Sequence, residues 1–279
     1  MTMKTSFNLW PFCTFPSILP AYTIEYALDT IARVGYDAVE ICAAVPHAWP
    51  PYMTDQDRQR IKRHLEQTKL SVSSICPGLA GPNGLNPASV NDAERQAAVQ
   101  HYRDCVDLAE AWGAPVVLYV AGWIVHGTPY QQAWDQATRT IRDIAPYALE
   151  RGVRVAVEPT SRDTNLIDTQ HQAIALADAA ESDGAGLMFD TYHVAFRRDV
   201  STDYVYDMAP RLIHTHISDT ERLPPGHGEI DFDPIVRALQ AVGYSGYLCL
   251  EAGIGARNVD PESFARKSLE ALQRLMEAK

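Results

Sequence analysis

One phrase recurs along this chain: a helical stretch closes on a glycine, and an apolar run follows after at most three residues. It stands at Gly35 before Ala38-Val-Glu-Ile41, at Gly113 before Val116-Val-Leu-Tyr119, at Gly152 before Val153 to Val157, and at Gly243 before Tyr247-Leu-Cys-Leu250. Glycine just past a helix can take the left-handed conformation that closes the last turn and redirects the chain. The apolar runs are continuous rather than alternating, as befits parallel strands covered by helices outside and packed on one another inside. Strands are expected near residues 4–9, 37–42, 70–76, 115–121, 153–158, 186–190, 212–217 and 246–251, each followed by a helix.

The helices carry amphipathic stripes at steps of three or four: Ile24, Leu28, Ile31; Trp134, Ala137, Ile141, Ala145, Ala148; and Ala265, Leu269, Leu272, Met276. The seventh, near 233–242, is short, and the sixth, near 202–209, has the weakest pattern. Alternation of this kind over 279 residues suits a (β/α)8 TIM barrel, one domain spanning 1–279. An open doubly wound sheet shares the periodicity, but no Gly-x-Gly-x-x-Gly follows the first strand, which weakens its dinucleotide-binding form. The stretch Pro77 to Pro87, rich in proline and glycine, reads as a loop after strand three.

Composition narrows the partners. A hydrophobic content of 46% permits a large core, and a net charge of −11 repels phosphate backbones and anionic membrane surfaces. No nucleic acid and no membrane partner is expected. The N-terminus lacks a signal pattern and no run of membrane-spanning length occurs, so a cytoplasmic location is expected. The five cysteines are scattered without a Cys-x-x-Cys pair and read as free thiols.

Chemistry concentrates at the ends of the last four strands. Glu158, Asp190, His216 and Glu251 each close an apolar run, spaced about one strand-plus-helix unit apart. A barrel brings the C-terminal ends of its strands to one mouth, so the four would converge there. A lone acid at a strand end is usually a helix cap or an ion-pair partner. Four such groups together would repel without a cation, and three carboxylates with one imidazole suit one divalent ion, Mn²⁺, Mg²⁺ or Co²⁺.

The segments Glu158-Pro, Asp190-Thr-Tyr-His193, His214-Thr-His216 through Arg222 to Gly228, and Leu250-Glu251 resemble the xylose-isomerase-like barrel superfamily, nearest to ketose 3-epimerases of the D-tagatose 3-epimerase type. Pro46-His47-Ala-Trp49 after strand two adds to the resemblance, which covers most of the chain and is strongest from 153 to 251. It implies that Glu158, Asp190, His216 and Glu251 are metal ligands, that Glu158 and Glu251 are also the acid/base pair, and that His193 and Arg222 contact substrate oxygens. The implied activity is a divalent-metal-dependent epimerisation or isomerisation of a ketose or related keto-sugar, by proton abstraction beside the carbonyl through a metal-stabilised enediolate. A homo-oligomer paired through outer helices is implied as well.

Other residues carry weaker expectations. His47 is a candidate pocket residue, and Trp123, with Trp10 and Trp49, is a candidate apolar wall for the sugar, although aromatics at strand ends more often pack as core or lid. His193 also suits a helix cap, and Arg222 a surface bridge to Asp219 or Glu221. His214 is placed one layer below His216, and Glu40 is set aside as structural. Where the ketose 3-epimerases carry a further acid, six residues after the strand-five glutamate, this chain has Thr164, with Asp163 beside it. That departure leaves open a lyase or dehydratase acting on a keto-sugar, keto-inositol or 3-keto-glycoside by the same proton abstraction. A DNA-repair endonuclease of the same superfamily is disfavoured, because Ile75-Cys-Pro-Gly78 and Ala121-Gly-Trp-Ile124 lack the histidines of its multinuclear zinc site.

Overall fold

The apolar runs form eight parallel strands: β1 (Lys4–Asn8), β2 (Ala38–Ala43), β3 (Ser71–Pro77), β4 (Val116–Val120), β5 (Arg154–Glu158), β6 (Ala185–Asp190), β7 (Leu212–Ile217) and β8 (Tyr247–Leu250). They pair in sequence order and close on themselves, β8 against β1, which settles the barrel over the open sheet. The computed structural model describes residues 3–13, 20–79 and 84–277. Residues 80–83 of the expected loop after strand three therefore lie outside the described residues.

The helices α1 (Ile24–Val34), α2 (Asp55–Thr68), α3 (Asp92–Trp112), α4 (Tyr130–Leu149), α5 (Gln170–Ala179), α6 (Thr191–Arg197), α7 (Ser201–Met208), α8 (Phe232–Ala241) and α9 (Pro261–Glu277) lie outside the strands. Gly35 and Gly113 close α1 and α3 with φ of 103° and 74°, the left-handed conformation the sequence called for. The stripe residues Ile24, Leu28, Ile31, Ala137, Ile141, Ala145, Ala265, Leu269 and Leu272 are buried against the barrel, with Trp134 and Met276 at its margin. Truncating a fully buried leucine such as Leu28 to alanine costs about 2–5 kcal/mol. No helix among the described residues is long and apolar enough to cross a membrane.

Two features depart from the expected plan. A short helix, α6, precedes α7, and Asp190 caps it by accepting from Tyr192 N at 2.9 Å. Seven residues are too few to show a helical period, so the sequence hid it. The barrel interior is also divided. Val116, Leu118, Ala156 and Met188 form a small apolar cluster there, whereas Ser6, Asn8, Glu40, Ser74, His214 and His216 are buried and polar where such barrels usually carry branched aliphatics. Bulges accompany the polar side: the register skips Ser73 between β2 and β3, and Ile213 between β6 and β7. A bulge re-aims neighbouring side chains, here those of Ser74 and His214.

Candidate active site

The last four strands deliver their terminal polar residues to one mouth. Asp190 pairs directly with His216 in register, and Glu251 follows β8 with its backbone N–H on Ile217 O at 3.2 Å. Glu158 and His216 are almost wholly buried, Asp190 wholly, and Glu251 retains 15% side-chain exposure. Above them opens a cleft of about 780 Å³ that Glu158, Glu251, His193, Arg222 and Trp123 help to line. A smaller cavity of about 370 Å³, at the strand starts around Arg154 and Tyr247, has none of these groups.

The polar atoms at the mouth are poorly satisfied by the protein itself. Glu158 Oε1 and His216 Nδ1 are buried without a hydrogen-bond partner, and they face each other at 3.7 Å. Glu251 Oε2 lies 3.0 Å from the same nitrogen but is not aligned to bond with it. Asp190, His216 and Glu251 offer ligand atoms within 4.8 Å of one another, and so do Glu158, Asp190 and His193. Unsatisfied buried carboxylate and imidazole atoms converging in this way fit a divalent cation. Glu158, Asp190, His216 and Glu251 could hold it.

Arg222 supplies positive charge to this cluster. Its Nη1 donates to Asp190 Oδ2 and, at 2.5 Å, to Glu251 Oε2, while its guanidinium lies 4.3 Å from the centre of the Tyr192 ring. Arg222 therefore does not bridge to Asp219 or Glu221. Asp219 is fully buried and accepts instead from Thr220 N, Gly226 N, Gly228 N and Ile230 N, at 2.8 to 3.0 Å. These bonds shape the loop that presents Arg222. A side chain at Gly228 would place its Cβ 2.4 Å from Asp219 Oδ1, so only glycine fits that approach.

Charge and burial oppose one another across the cluster. Burial pushes the Asp190 carboxyl up to about 6, against the pull of Arg222 and His193. Burial also raises Glu251, but Arg222 and His216 outweigh it and bring Glu251 down to about 2. Burial favours neutral His216, yet Glu251 and Glu40 on either side hold its pKa well above the ordinary value. A cation at this site would displace the His216 proton and any held by Asp190.

His193 faces the same space from α6. Its Nδ1 accepts from Arg162 N at 3.3 Å, and its Nε2 lies 3.5 Å from Arg222 Nη2, 3.5 Å from Asp163 Oδ2 and 3.8 Å from Asp190 Oδ2. Asp163 thus stands beside the site, whereas Thr164 bonds to Thr160 Oγ1 at 2.6 Å. The backbone of Trp123 is held at the cleft by its amide N–H, which donates to Asn86 Oδ1 at 3.0 Å. Trp49 packs on His101, with ring centres 4.8 Å apart. His47 is not drawn into the cleft: it is buried with Nδ1 3.1 Å from Cys13 Sγ and Nε2 3.0 Å from Tyr22 O. All five cysteines are free, and Cys76 reaches the cleft.

The family model for the xylose isomerase-like TIM barrel matches residues 28–275. The chain belongs to that family. Among curated relatives, this xylose isomerase-like barrel is 22% identical over 259 residues to a fructoselysine 3-epimerase of Shigella flexneri, covering 91% of this chain and 93% of the relative. It is 27% identical over 236 residues to an L-ribulose 3-epimerase of Mesorhizobium japonicum, covering 82% and 75%. Among solved structures, the D-psicose 3-epimerase of Clostridium cellulolyticum, crystallised with D-tagatose, superposes with a TM-score of 0.86 at 19% identity, covering 99% of each chain. At that identity the last likeness speaks for the fold alone.

Proposed function

We propose that this xylose isomerase-like barrel is a divalent-metal-dependent sugar epimerase that moves a proton on a carbon beside a ketone. The observation that carries the reading is the placement of two carboxylates, Glu158 from β5 and Glu251 after β8, at 3.7 and 3.0 Å from His216 Nδ1 and both lining one cleft. Two bases approaching one carbon from different strands can remove a proton from one face and return one to the other. That is inversion without net change of mass.

Mn²⁺, Mg²⁺ or Co²⁺ held by Glu158, Asp190, His216 and Glu251 would polarise the carbonyl and stabilise the negative charge of the enediolate. The protein's own groups do the rest. Arg222 adds a fixed positive charge beside the carbonyl oxygen, and His193 Nε2 hydrogen-bonds a neighbouring hydroxyl. Trp123, Leu79, Leu118 and Val120 give the cleft an apolar wall against the carbon skeleton, and Asp163, Thr164 and Asn165 face the hydroxyls.

The activities for which those relatives are named, 3-epimerisation of fructoselysine and L-ribulose, support inversion over elimination. The test is product analysis of a panel of free, phosphorylated and N- or O-substituted ketoses with the Mn²⁺-loaded protein. Conversion to an isomer of equal mass is expected, whereas loss of water or of an aglycone would replace the epimerase reading by a lyase. The homo-oligomer implied by the family resemblance belongs to the same reading and is read out by light scattering.

A further inference from the structure

Beneath the proposed ligands lies a carboxylate the reaction does not use. Glu40, on β2, is wholly buried at the centre of the barrel. Its Oε1 accepts from Asn8 Nδ2 at 2.5 Å and meets His216 Nε2 at 2.9 Å; its Oε2 accepts from Ser74 Oγ at 2.5 Å and meets His214 Nε2 at 2.9 Å. Asn8 is itself fixed, its Oδ1 accepting from Trp10 N at 2.8 Å. Both bulges described above serve this point, one beside Ser74 and the other beside His214.

Stability alone does not explain such a residue. A buried carboxylate is costly unless every lone pair is used, and well-packed apolar side chains often serve a core as well or better. The opposite side of the same interior, Val116, Leu118, Ala156 and Met188, takes that apolar solution. What Glu40 adds is a fixed acceptor for His216 Nε2. With that nitrogen bonded from below, the ring cannot flip, and Nδ1 remains the atom directed at Glu158 and Glu251.

We infer that Glu40 is a positioning residue for the cation site, holding His216 so that Nδ1 is its only available ligand atom, with Asn8, Ser74 and His214 bracing the carboxylate. The inference rests on the metal site proposed above. Outer partners of a ligand histidine typically govern metal affinity by about 10–100-fold. Glu40→Gln keeps the shape but puts an amide N–H₂ in place of one carboxylate oxygen, so the pair of contacts on that side is disrupted whichever way it turns.

The experiment is a titration of wild type and Glu40→Gln with Mn²⁺, counting free ion by electron paramagnetic resonance, with circular dichroism of both proteins. Alongside it, the His216 ring of the Mg²⁺-loaded wild type is observed by ¹H–¹⁵N NMR. Mn²⁺ binding weaker by about 10–100-fold in a folded Glu40→Gln protein, and a solvent-protected His216 Nε2–H in the wild type, are expected. Equal Mn²⁺ affinity in the two proteins, or coordination of His216 through Nε2, overturns the inference while leaving the metal site standing. A wild type that binds no Mn²⁺ overturns the metal site itself. Should Glu40→Gln fail to fold, the wild-type NMR spectrum still decides.

Discussion

His216 Nδ1 lies 3.0 Å from Glu251 Oε2, and the other nitrogen of the same ring is engaged by Glu40. The imidazole is thus held by Glu40, which does not line the cleft, and faces Glu251, which does. The strongest consequences concern the cation. Chelation by EDTA should abolish turnover, and Mn²⁺ should restore it. At a free concentration 100 times its Kd, the ion should stabilise the fold by about 2.7 kcal/mol, seen as a rise in Tm. A Tm indifferent to Mn²⁺ would contradict the site.

Acid should weaken that binding. The folded pKa of Asp190, about 6, is raised above its ordinary value, chiefly by burial. A raised carboxyl contributes stability that is fully present below the unfolded value and lost as pH rises through the folded one, because the metal-free fold keeps a proton the unfolded chain has released. The cation requires the ionised form, so its affinity should fall roughly tenfold or more per pH unit below about 6. Mn²⁺ titrations between about pH 5 and 7 check this, and flat affinity across that range would refute it.

Arg222→Ala should separate two roles. The substrate loses a charged hydrogen-bond donor worth about 1.5–3 kcal/mol, so kcat/KM should drop roughly 10–150-fold. In the metal-free protein Asp190 and Glu251 also lose their shared counter-ion. Tm should therefore fall more without Mn²⁺ than with it, since the ion replaces the missing charge. An equal fall in both states would show that Arg222 does not share the cation's electrostatic role.

Asp219→Ala tests the scaffold of Arg222. Four backbone N–H groups lose their acceptor. The loop should loosen at a cost of about 1–3 kcal/mol in stability, and KM should rise with little change in Mn²⁺ affinity, because no ligand is touched. Unchanged KM would mean that Arg222 is placed by other contacts.

Much of this was legible in the sequence, for a physical reason. Parallel barrel strands are buried on both faces, so their continuous apolar runs mark them, and polar residues closing those runs must lie at the mouth. Glu158, Asp190, His216 and Glu251 were visible on that ground, and the structure brings them together. Glu40 stands inside the apolar run of β2, and its partners Asn8, Ser74 and His214 come from three other strands, a conjunction that pairing and bulges create and spacing does not reveal. Asp219 looked like a surface acid because its acceptors are used by backbone amides, which leave no trace in side-chain identity. His47 sat in a segment with family resemblance, yet its direction depends on how the loop after β2 turns.

The most direct test of the central claim is proton exchange at the reacting carbon. Wild type, Glu158→Gln and Glu251→Gln, each loaded with Mg²⁺, would be incubated in D₂O with the ketose panel and followed by NMR. Deuterium should enter at the carbon beside the carbonyl in the wild type only with the ion present, and both variants should lose turnover by about 10²–10⁴-fold. Uptake that survives in both glutamine variants, or no uptake with any ketose while Mg²⁺ is bound, would contradict a two-carboxylate epimerase.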